Sequence, residues 1–206
     1  MGLPSRIQLM QLGKVILLQG ISSAGKSTLA AAMQLALEEH WWMFEADDIT
    51  RMQATSERSG WWQPTPEEKP HPSWNPDQRL KQWLAGYFGC IATIAKSGSN
   101  VIAVGGWLQT EWLLELAASL EGIEAYCVGV YCSAEEAERR ETARGDRHVG
   151  YSRSQLELVH THAPYDADVD TEHQTTDECV HTIVKMLAYP PKQLFFERIR
   201  TSTTGS

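Results

Sequence analysis

Short, almost continuous apolar runs alternate with longer amphipathic segments along this chain. Short apolar runs are typical of strands buried on both faces, whereas apolar positions three or four residues apart indicate helices. The pattern predicts strands at residues 14–19, 42–46, 101–104, 125–131 and 167–170. It predicts helices at residues 27–39, 77–97, 110–120, 133–144, 152–162 and 176–188. Because the strands are separated by helices, we predict an α/β fold, a parallel sheet of about five strands with helices on both faces.

Two segments depart from this alternation. Residues 54–76 hold five of the nine prolines and are predicted to be mostly loop. Pro190 and Pro191 end the last predicted helix, so we predict a domain over residues 1–188 and a C-terminal extension over 189–206. The extension has two open descriptions: an amphipathic FFERI patch that packs on a neighbouring surface, or a partly mobile tail.

Length, charge and cysteine content narrow the class of protein. A chain of 206 residues fits one domain with a substantial core. Its 18 basic and 26 acidic residues give a net charge of −8, which argues against a nucleic-acid partner. No apolar run reaches the about 20 residues of a membrane helix, and the N-terminus lacks a signal peptide, so we predict a cytoplasmic protein without a membrane partner. The four cysteines lack metal-site spacing and are expected to be reduced thiols.

The strongest chemical signal is a glycine-rich loop between the first predicted strand and helix. Residues 20–27 read GISSAGKS, a complete GxxxxGK[ST] motif in the context that the motif requires. Such a loop directs backbone N–H groups and a helix N-terminus at phosphates. It predicts ATP and Mg²⁺ as cofactors, with Lys26 on the β- and γ-phosphates and Ser27 on the metal. The predicted nucleotide-binding residues of this loop are Gly20, Ser22, Ser23, Ala24, Gly25, Lys26, Ser27 and Thr28.

Arginines are concentrated in one segment of this acidic chain, RRETARGDR at residues 139–147. Arg140, Arg144 and Arg147 have helical spacing, and planar guanidinium groups suit a transferring phosphoryl group. Gly145 and Gly150 provide hinges for a lid over the nucleotide. We therefore predict these three arginines as nucleotide-binding, with Arg144 also catalytic. A solvated helix face, with the arginines paired to nearby glutamates, is the open alternative.

Two carboxylates, Asp47 and Asp48, follow the second predicted strand. A carboxylate at this edge of a parallel sheet can accept the proton of an acceptor hydroxyl or hold Mg²⁺, although Asp also commonly caps helices. Many enzymes with this loop carry an acidic residue after the third strand, where this chain has Gly105-Gly106. Either Ser27, phosphates and water hold the metal alone, or Asp47 or Asp48 substitutes.

All eight tryptophans lie between Trp41 and Trp112. Trp83 falls on an apolar helical face and is predicted to be core. We expect at least one of the tryptophans in predicted loops to wall an aromatic or macrocyclic acceptor. These tryptophans are Trp61, Trp62, Trp74 and Trp107, of which Trp61, Trp62 and Trp107 are predicted substrate-binding residues together with Asp47 and Asp48. His148, His160 and His162 have no spacing that fixes a partner and are expected at the surface.

Together these motifs resemble the chloramphenicol phosphotransferases. The resemblance spans about residues 14–188 and is carried by ILLQGISSAGKSTLA, WWMFEADDI, the ETARGDR segment and YDADVDT. It implies a three-layer P-loop kinase fold with an arginine-bearing lid, and transfer of the γ-phosphoryl of ATP to a primary hydroxyl of the antibiotic. Asp47 matches the family's catalytic aspartate, and Arg140, Arg144 and Arg147 match its lid arginines. The chain departs from the family at Gly105-Gly106 and over residues 55–76.

We therefore predict an ATP-dependent O-phosphotransferase whose partner is a small-molecule hydroxyl acceptor, with Asp47, Lys26 and Arg144 as catalytic residues. Residues 41–76 hold only three basic residues, which favours a largely uncharged acceptor such as an antibiotic that the reaction inactivates. A kinase of a cellular metabolite and a non-catalytic ATP-responsive binding module remain open. The pattern defines no oligomeric state.

Overall fold

A five-stranded parallel sheet forms the centre of the protein. The computed structural model describes residues 11–52, 78–144 and 150–203. Within them the strand order is β2-β3-β1-β4-β5, and every neighbouring pair is parallel. The strands are β1 (Val15–Gln19), β2 (Trp41–Glu45), β3 (Asn100–Gly105), β4 (Ala125–Tyr131) and β5 (Ala167–Asp170). The predicted α/β fold with five parallel strands is confirmed.

Helices follow each strand, as the alternating pattern predicts. Their bounds are α1 (Lys26–Ala36), α2 (Ala46–Arg51), α3 (Gln78–Lys96), α4 (Thr110–Ser119), α5 (Ala134–Arg144), α6 (Tyr151–Val159), α7 (Thr176–Ala188) and α8 (Phe195–Thr203). A full capping box at Thr175 and Glu178 fixes the start of α7. No helix among the described residues combines the length and apolarity needed to span a membrane.

The sheet separates two apolar clusters, because successive side chains of a strand point to opposite faces. Ile16 and Leu18 of β1 belong to the cluster under α1 and α7, which we call the first face. Val15 and Leu17 belong to the cluster under α3, α4 and α8, which we call the second face. The central strand is fully buried on both sides, which explains the unbroken apolar run in its sequence.

The register of the strands brings their carboxyl ends to one edge. Gln19 at the end of β1 is paired with Gly105 of β3 and with Gly129 of β4. The phosphate loop begins at the next residue, Gly20. Segments that follow the strands therefore converge on this loop, at the edge where parallel α/β sheets bind their ligands.

The C-terminal extension contains a helix that packs on the second face. Phe195 and Phe196 of α8 are each only 1% exposed and belong to its core cluster. The carboxylate of Asp166, which precedes β5, accepts hydrogen bonds from the backbone N–H groups of Phe195 and Cys127, both at 2.8 Å. The described part of the extension is therefore a docked helix, and a free tail is not the right description of it.

Candidate active site

The phosphate loop is anchored by close backbone packing. A Cβ atom at Gly20 would lie 2.3 Å from the carbonyl oxygen of Val130, so only glycine fits there. Gly25 has φ +84°, a left-handed conformation that glycine adopts without strain, and α1 begins at the next residue. Ser23 also has a positive φ of 59°. This sequence of turns places the N-terminus of α1, with Ser27 and Thr28 exposed, at the mouth of the site.

Lys26 forms hydrogen bonds with the backbone of the phosphate loop itself. Its ammonium donates to the carbonyl oxygens of Gly20, at 2.9 Å, and Ile21, at 2.6 Å. These carbonyls hold the side chain over the loop, where phosphate oxygens would lie in a filled site. The assignment of Lys26 to the β- and γ-phosphates stays a prediction.

Arg140 clamps the loop from outside. Its guanidinium donates to the carbonyl oxygen of Ser23 at 3.3 Å, to the carbonyl oxygen of Thr171 at 2.9 Å and to the hydroxyl of Thr171 at 3.0 Å. Glu136 accepts the remaining Nε bond at 2.7 Å. Most donors of Arg140 are thus used within the protein, which makes it a structural brace beside the nucleotide site more than a free phosphate ligand.

The other predicted lid arginines have different surroundings. Arg144 is exposed at the last residue of α5 and takes part in an interaction. Arg147, like Trp61, Trp62 and Trp74, lies outside the described residues. Arg139 is exposed and paired with Glu136, as the solvated-face alternative predicts for this position.

Two buried polar side chains join the lid segment to the phosphate loop. Glu141 of α5 is fully buried, and its carboxylate accepts hydrogen bonds from the backbone N–H groups of Gly150, at 3.0 Å, and Ser152, at 2.8 Å. Gln155 of α6 is 5% exposed and accepts a 2.6 Å hydrogen bond from the backbone N–H of Ser22. We call this arrangement the lid base. Sequence reasoning missed both residues, since each acts through a partner distant along the chain.

Asp47 and Asp48 lie in the first turn of α2, directly after β2. Asp47 is half-buried and takes part in an interaction, whereas Asp48 is exposed and forms an ion pair with Arg51. The Tyr87 hydroxyl donates to the carbonyl oxygens of Phe44 and Val104, which ties the ends of β2 and β3 together. Burial is the main cause that raises the pKa of Tyr87, and neighbouring carboxylates, Asp47 among them, raise it further.

The prediction that Trp107 contacts an acceptor is wrong. Its ring is 1% exposed and packs in the second-face cluster, with ring centroids 5.4 Å from Tyr87 and 5.2 Å from Phe88. A Cβ atom at Gly105 would lie 2.6 Å from this indole, and one at Gly106 would lie 2.8 Å from the carbonyl oxygen of Gly20. A carboxylate-bearing residue at either position would therefore clash with its neighbours in the present arrangement. Trp83, predicted to be core, is 7% exposed and confirms that part of the prediction.

His160 directly follows α6 and lies beside the sheet edge where the carboxyl ends of the strands meet. Its ring stacks on Tyr131, with centroids 3.9 Å apart, and Nδ1 lies 3.2 Å from the hydroxyl of Tyr165. Burial, and secondarily the charge of Lys26, lowers the pKa of His160 to about 4. The imidazole is therefore neutral near pH 7. Instead of the expected surface position, it occupies a half-buried one.

A cleft of about 260 Å³ opens on the first face beside the phosphate loop. Its depth comes from the gap between α1, α7 and the segment after β5. Its lining comprises Gly25, Thr28, Leu29, Arg140, Thr171, Gln174, Thr176 and Cys179. A mixed apolar and hydrogen-bonding lining next to a phosphate loop suits a nucleoside.

Exposed acidic groups follow β5 near this cleft. Asp170, Glu172 and His173 lie close enough together to be considered as metal ligands. However, their polar atoms are already bonded within the turn: Asp170 to His173 at 2.9 Å, and Glu172 to the backbone N–H of Ser133 at 2.7 Å. This arrangement is explained by turn geometry alone.

The sheet topology, the loop geometry and the strand-end carboxylates define a P-loop kinase fold. Residues 13–188 match the family model for chloramphenicol phosphotransferase-like proteins, and the chain belongs to that family. It is accordingly a phosphotransferase with an alcohol group as acceptor.

Relatives and solved structures agree with this assignment. Two Mycobacterium tuberculosis proteins, from strains CDC 1551 and H37Rv, are named provisionally as O-phosphotransferases. Each is 30% identical to this chain over 200 residues, and the match covers 91% of this chain and 88% of the relative. The fold resembles an APS kinase from M. tuberculosis (TM-score 0.63, 15% identity, 86% of this chain and 98% of that one). It also resembles a gluconokinase from Sinorhizobium meliloti (TM-score 0.59, 20% identity, 86% and 93%). These two likenesses establish the fold alone.

Proposed function

We propose that this protein transfers the γ-phosphoryl group of ATP to a hydroxyl of a largely uncharged small molecule, an antibiotic of chloramphenicol-like character, and so inactivates it. The observation that carries the proposal is the position of the phosphate loop. The loop lies between a nucleoside-sized cleft on the first face and Asp47, which follows β2 beside the second-face cluster. A donor and an acceptor on opposite sides of one loop suit an in-line phosphoryl transfer.

The nucleotide half of the reaction uses the loop and the cleft. The adenosine occupies the cleft, and the triphosphate extends along the loop to the N-terminus of α1, where backbone N–H groups bind it. Lys26 exchanges its present carbonyl partners for phosphate oxygens. The exposed hydroxyl of Ser27 fits Mg²⁺, which supplies charge neutralisation when it is bound.

The acceptor half uses Asp47. Its carboxylate accepts the proton of the acceptor hydroxyl while the hydroxyl oxygen forms its new bond to the γ-phosphorus. Arg144, at the end of α5, and Arg147 bind the phosphoryl oxygens when the lid closes. Arg140 holds the loop and borders the nucleoside. ADP leaves with the electrons of the broken bridging bond.

The acceptor class follows from charge. A phosphorylated or carboxylated metabolite needs cations at its site, and residues 41–76 provide only Arg51, Arg58 and Lys69. Arg51 is already paired with Asp48. A neutral compound that carries hydroxyl groups therefore suits the acceptor side better than an anionic metabolite does.

A coupled assay of ADP release tests the proposal. The purified protein is incubated with ATP, Mg²⁺ and a panel of hydroxyl-bearing antibiotics that includes chloramphenicol, beside gluconate, shikimate and nucleosides. We expect ADP release with at least one neutral antibiotic, a product heavier by one phosphoryl group, and loss of both ATP binding and turnover in Lys26→Ala. If only an anionic metabolite is phosphorylated, the proposed acceptor is a metabolite and the antibiotic assignment is wrong. ATP binding without transfer to any compound would favour the binding module.

A further inference from the structure

The hydrogen bonds around His160 define which ring nitrogen carries its proton. The Tyr165 hydroxyl lies 3.0 Å from the carbonyl oxygen of Val159 and 3.2 Å from Nδ1 of His160. A carbonyl oxygen can only accept, so the single hydroxyl proton of Tyr165 is donated to Val159. The Tyr165 oxygen then accepts from His160, which places the proton of the neutral imidazole on Nδ1 and leaves a lone pair on Nε2.

The ring is held in this orientation from several sides. Tyr131 stacks on one face of the imidazole, with an angle of 19° between the ring planes, and Tyr165 meets its edge, with ring centroids 5.8 Å apart. The preceding residue, Val159, accepts a further 3.0 Å hydrogen bond from the side chain of Gln19, the last residue before the phosphate loop. His160 is thus fixed to the base of the loop itself. Fixed orientation matters because a group that is already ordered loses little entropy on binding.

Nε2 is the unused end of this ring. Among the residues that the structure describes, no donor or acceptor lies within hydrogen-bond distance of it. Nε2 is also not one of the described side-chain nitrogens that are both buried from solvent and without a hydrogen-bond partner. A neutral, oriented imidazole therefore presents an open acceptor atom to solvent.

His160 lies on the side of the sheet proposed for the acceptor, opposite the nucleoside-sized cleft. Tyr131, on which it stacks, packs against the second-face cluster, the cluster that also contains Ala46 beside Asp47. The nucleoside-sized cleft is lined by Leu29 and Cys179, which belong to the first face. Lys26 is close enough for its charge to act on the imidazole. His160, which follows α6, and Asp47, which lies in the first turn of α2 after β2, thus both adjoin the second-face cluster.

We propose that His160 is an acceptor-binding residue, whose Nε2 accepts a hydrogen bond from a second hydroxyl or N–H group of the acceptor while Asp47 engages the hydroxyl that is phosphorylated. This inference rests on the proposed function. It adds that the acceptor carries at least two hydrogen-bond donors, one for each of these two residues. A monohydric alcohol without a second donor is accordingly a poor substrate.

The proton position is tested first, because it does not depend on any acceptor. Long-range ¹H–¹⁵N spectra of the full-length protein at pH 7 distinguish a protonated ring nitrogen from an unprotonated one, and His160→Gln identifies the signals of His160 by their loss. We expect a neutral ring protonated on Nδ1. In Tyr165→Phe the oriented acceptor of that proton is lost, and we expect a shift toward the Nε2-protonated form. An Nε2-protonated wild-type ring overturns the inference, even if the enzyme phosphorylates every antibiotic in the panel.

Kinetics with an acceptor that the panel identifies test the contact. His160→Phe keeps a flat ring over Tyr131 but has no acceptor atom, so we expect the acceptor KM to rise roughly three- to tenfold, with the KM for ATP unchanged. His160→Gln can place an amide oxygen near Nε2 and is expected to restore part of the affinity. His162→Phe, two residues further on, is the matched control. An acceptor KM in His160→Phe equal to that of His162→Phe contradicts the inference, whereas a wild-type enzyme without any acceptor contradicts the proposed function.

Discussion

At the scale of single residues, the two adjacent carboxylates after β2 have different surroundings. Asp47 is half-buried, and Asp48 is exposed and paired with Arg51. An exposed ion pair of this kind contributes little to stability or to chemistry. We infer that the two residues, which are equivalent by sequence pattern, differ in role.

Asp47→Asn should therefore lower kcat by about 100-fold or more with ATP affinity nearly unchanged, because it removes the proton acceptor and leaves the nucleotide site intact. The measurement combines turnover with the best acceptor of the panel and calorimetric binding of ATP. Asp48→Asn is the matched control, and we expect turnover within about twofold of wild type, since it disrupts only a surface ion pair. Equal losses in both variants would remove the base assignment from Asp47.

Sequence alone predicted those residues whose role depends on local spacing. The phosphate loop is such a case, because its motif, strand and helix are contiguous. Glu141 and Gln155 act through partners 9 and 133 residues away. His160 is oriented by Tyr165, 5 residues away, and the residue before it is held by Gln19, 140 residues from Val159. Trp107 was misplaced because a tryptophan after a strand fits a loop surface and a core equally well by pattern.

At the scale of elements, the lid base links three parts of the site. Glu141 connects α5 to the first turn of α6, and Gln155 connects α6 to the phosphate loop. Arg140 connects α5 to Ser23 of the same loop. Residues 145–149, between α5 and α6, lie outside the described part of the chain. The described residues on both sides of them are nevertheless joined by the hydrogen bonds of the buried Glu141 carboxylate to Gly150 and Ser152.

Glu141→Gln should weaken this support, because an amide NH₂ then faces one of the two backbone N–H donors. We expect the free energy of unfolding to fall by about 2 kcal/mol and the KM for ATP to rise. Amide hydrogen exchange should accelerate at Gly150 and Ser152, a local change that a general loss of stability would not confine there. Denaturant unfolding and exchange mass spectrometry measure these effects.

Glu135→Gln provides the control on the same helix, since Glu135 is exposed and its contact with Arg153 is 3.3 Å long. We expect an effect close to zero for this variant. If Glu141→Gln unfolds and exchanges like Glu135→Gln, the lid base does not depend on the buried carboxylate.

Element predictions from hydrophobic pattern were accurate where periodicity was strong. Strands β4 and β5 and helix α7 have the predicted bounds, whereas α1 begins one residue before and ends three residues before the prediction. Helix ends depend on capping contacts, which pattern does not contain. The helical conformation of α8 was not predicted, whereas the packing of its FFERI patch was one of two open alternatives, and the contacts of α8 with β4 and α4 decide for it.

At the scale of the whole molecule, the sheet separates two surfaces of different character. The first face carries the nucleoside-sized cleft, and the second face carries the aromatic core beside Asp47 and His160. The net charge of −8 is an average over a chain whose phosphate loop region gathers Lys26 and Arg140. Anion binding by this acidic protein is therefore a local property.

Removal of residues 189–206 tests whether the extension is part of the folded unit. The truncation exposes the surface that Phe195 and Phe196 cover and removes the two α8 partners of Asp166, so we expect the free energy of unfolding to fall by about 3–6 kcal/mol. Urea denaturation followed by circular dichroism measures it. A chain that lacks only residues 204–206, beyond α8, is the control. Equal stability of the two truncated chains would make residues 189–206 an independent tail.

The contact between Gly105 and the Trp107 indole has a consequence for substitutions at both positions. With 2.6 Å between a Cβ at Gly105 and the indole, a side chain at the end of β3 requires the Trp107 ring to shift. A variant that gains a carboxylate there together with a smaller residue in place of Trp107 avoids the clash but carries a cavity beside Tyr87 and Phe88. The side chains that residues 105 and 107 can carry are therefore coupled.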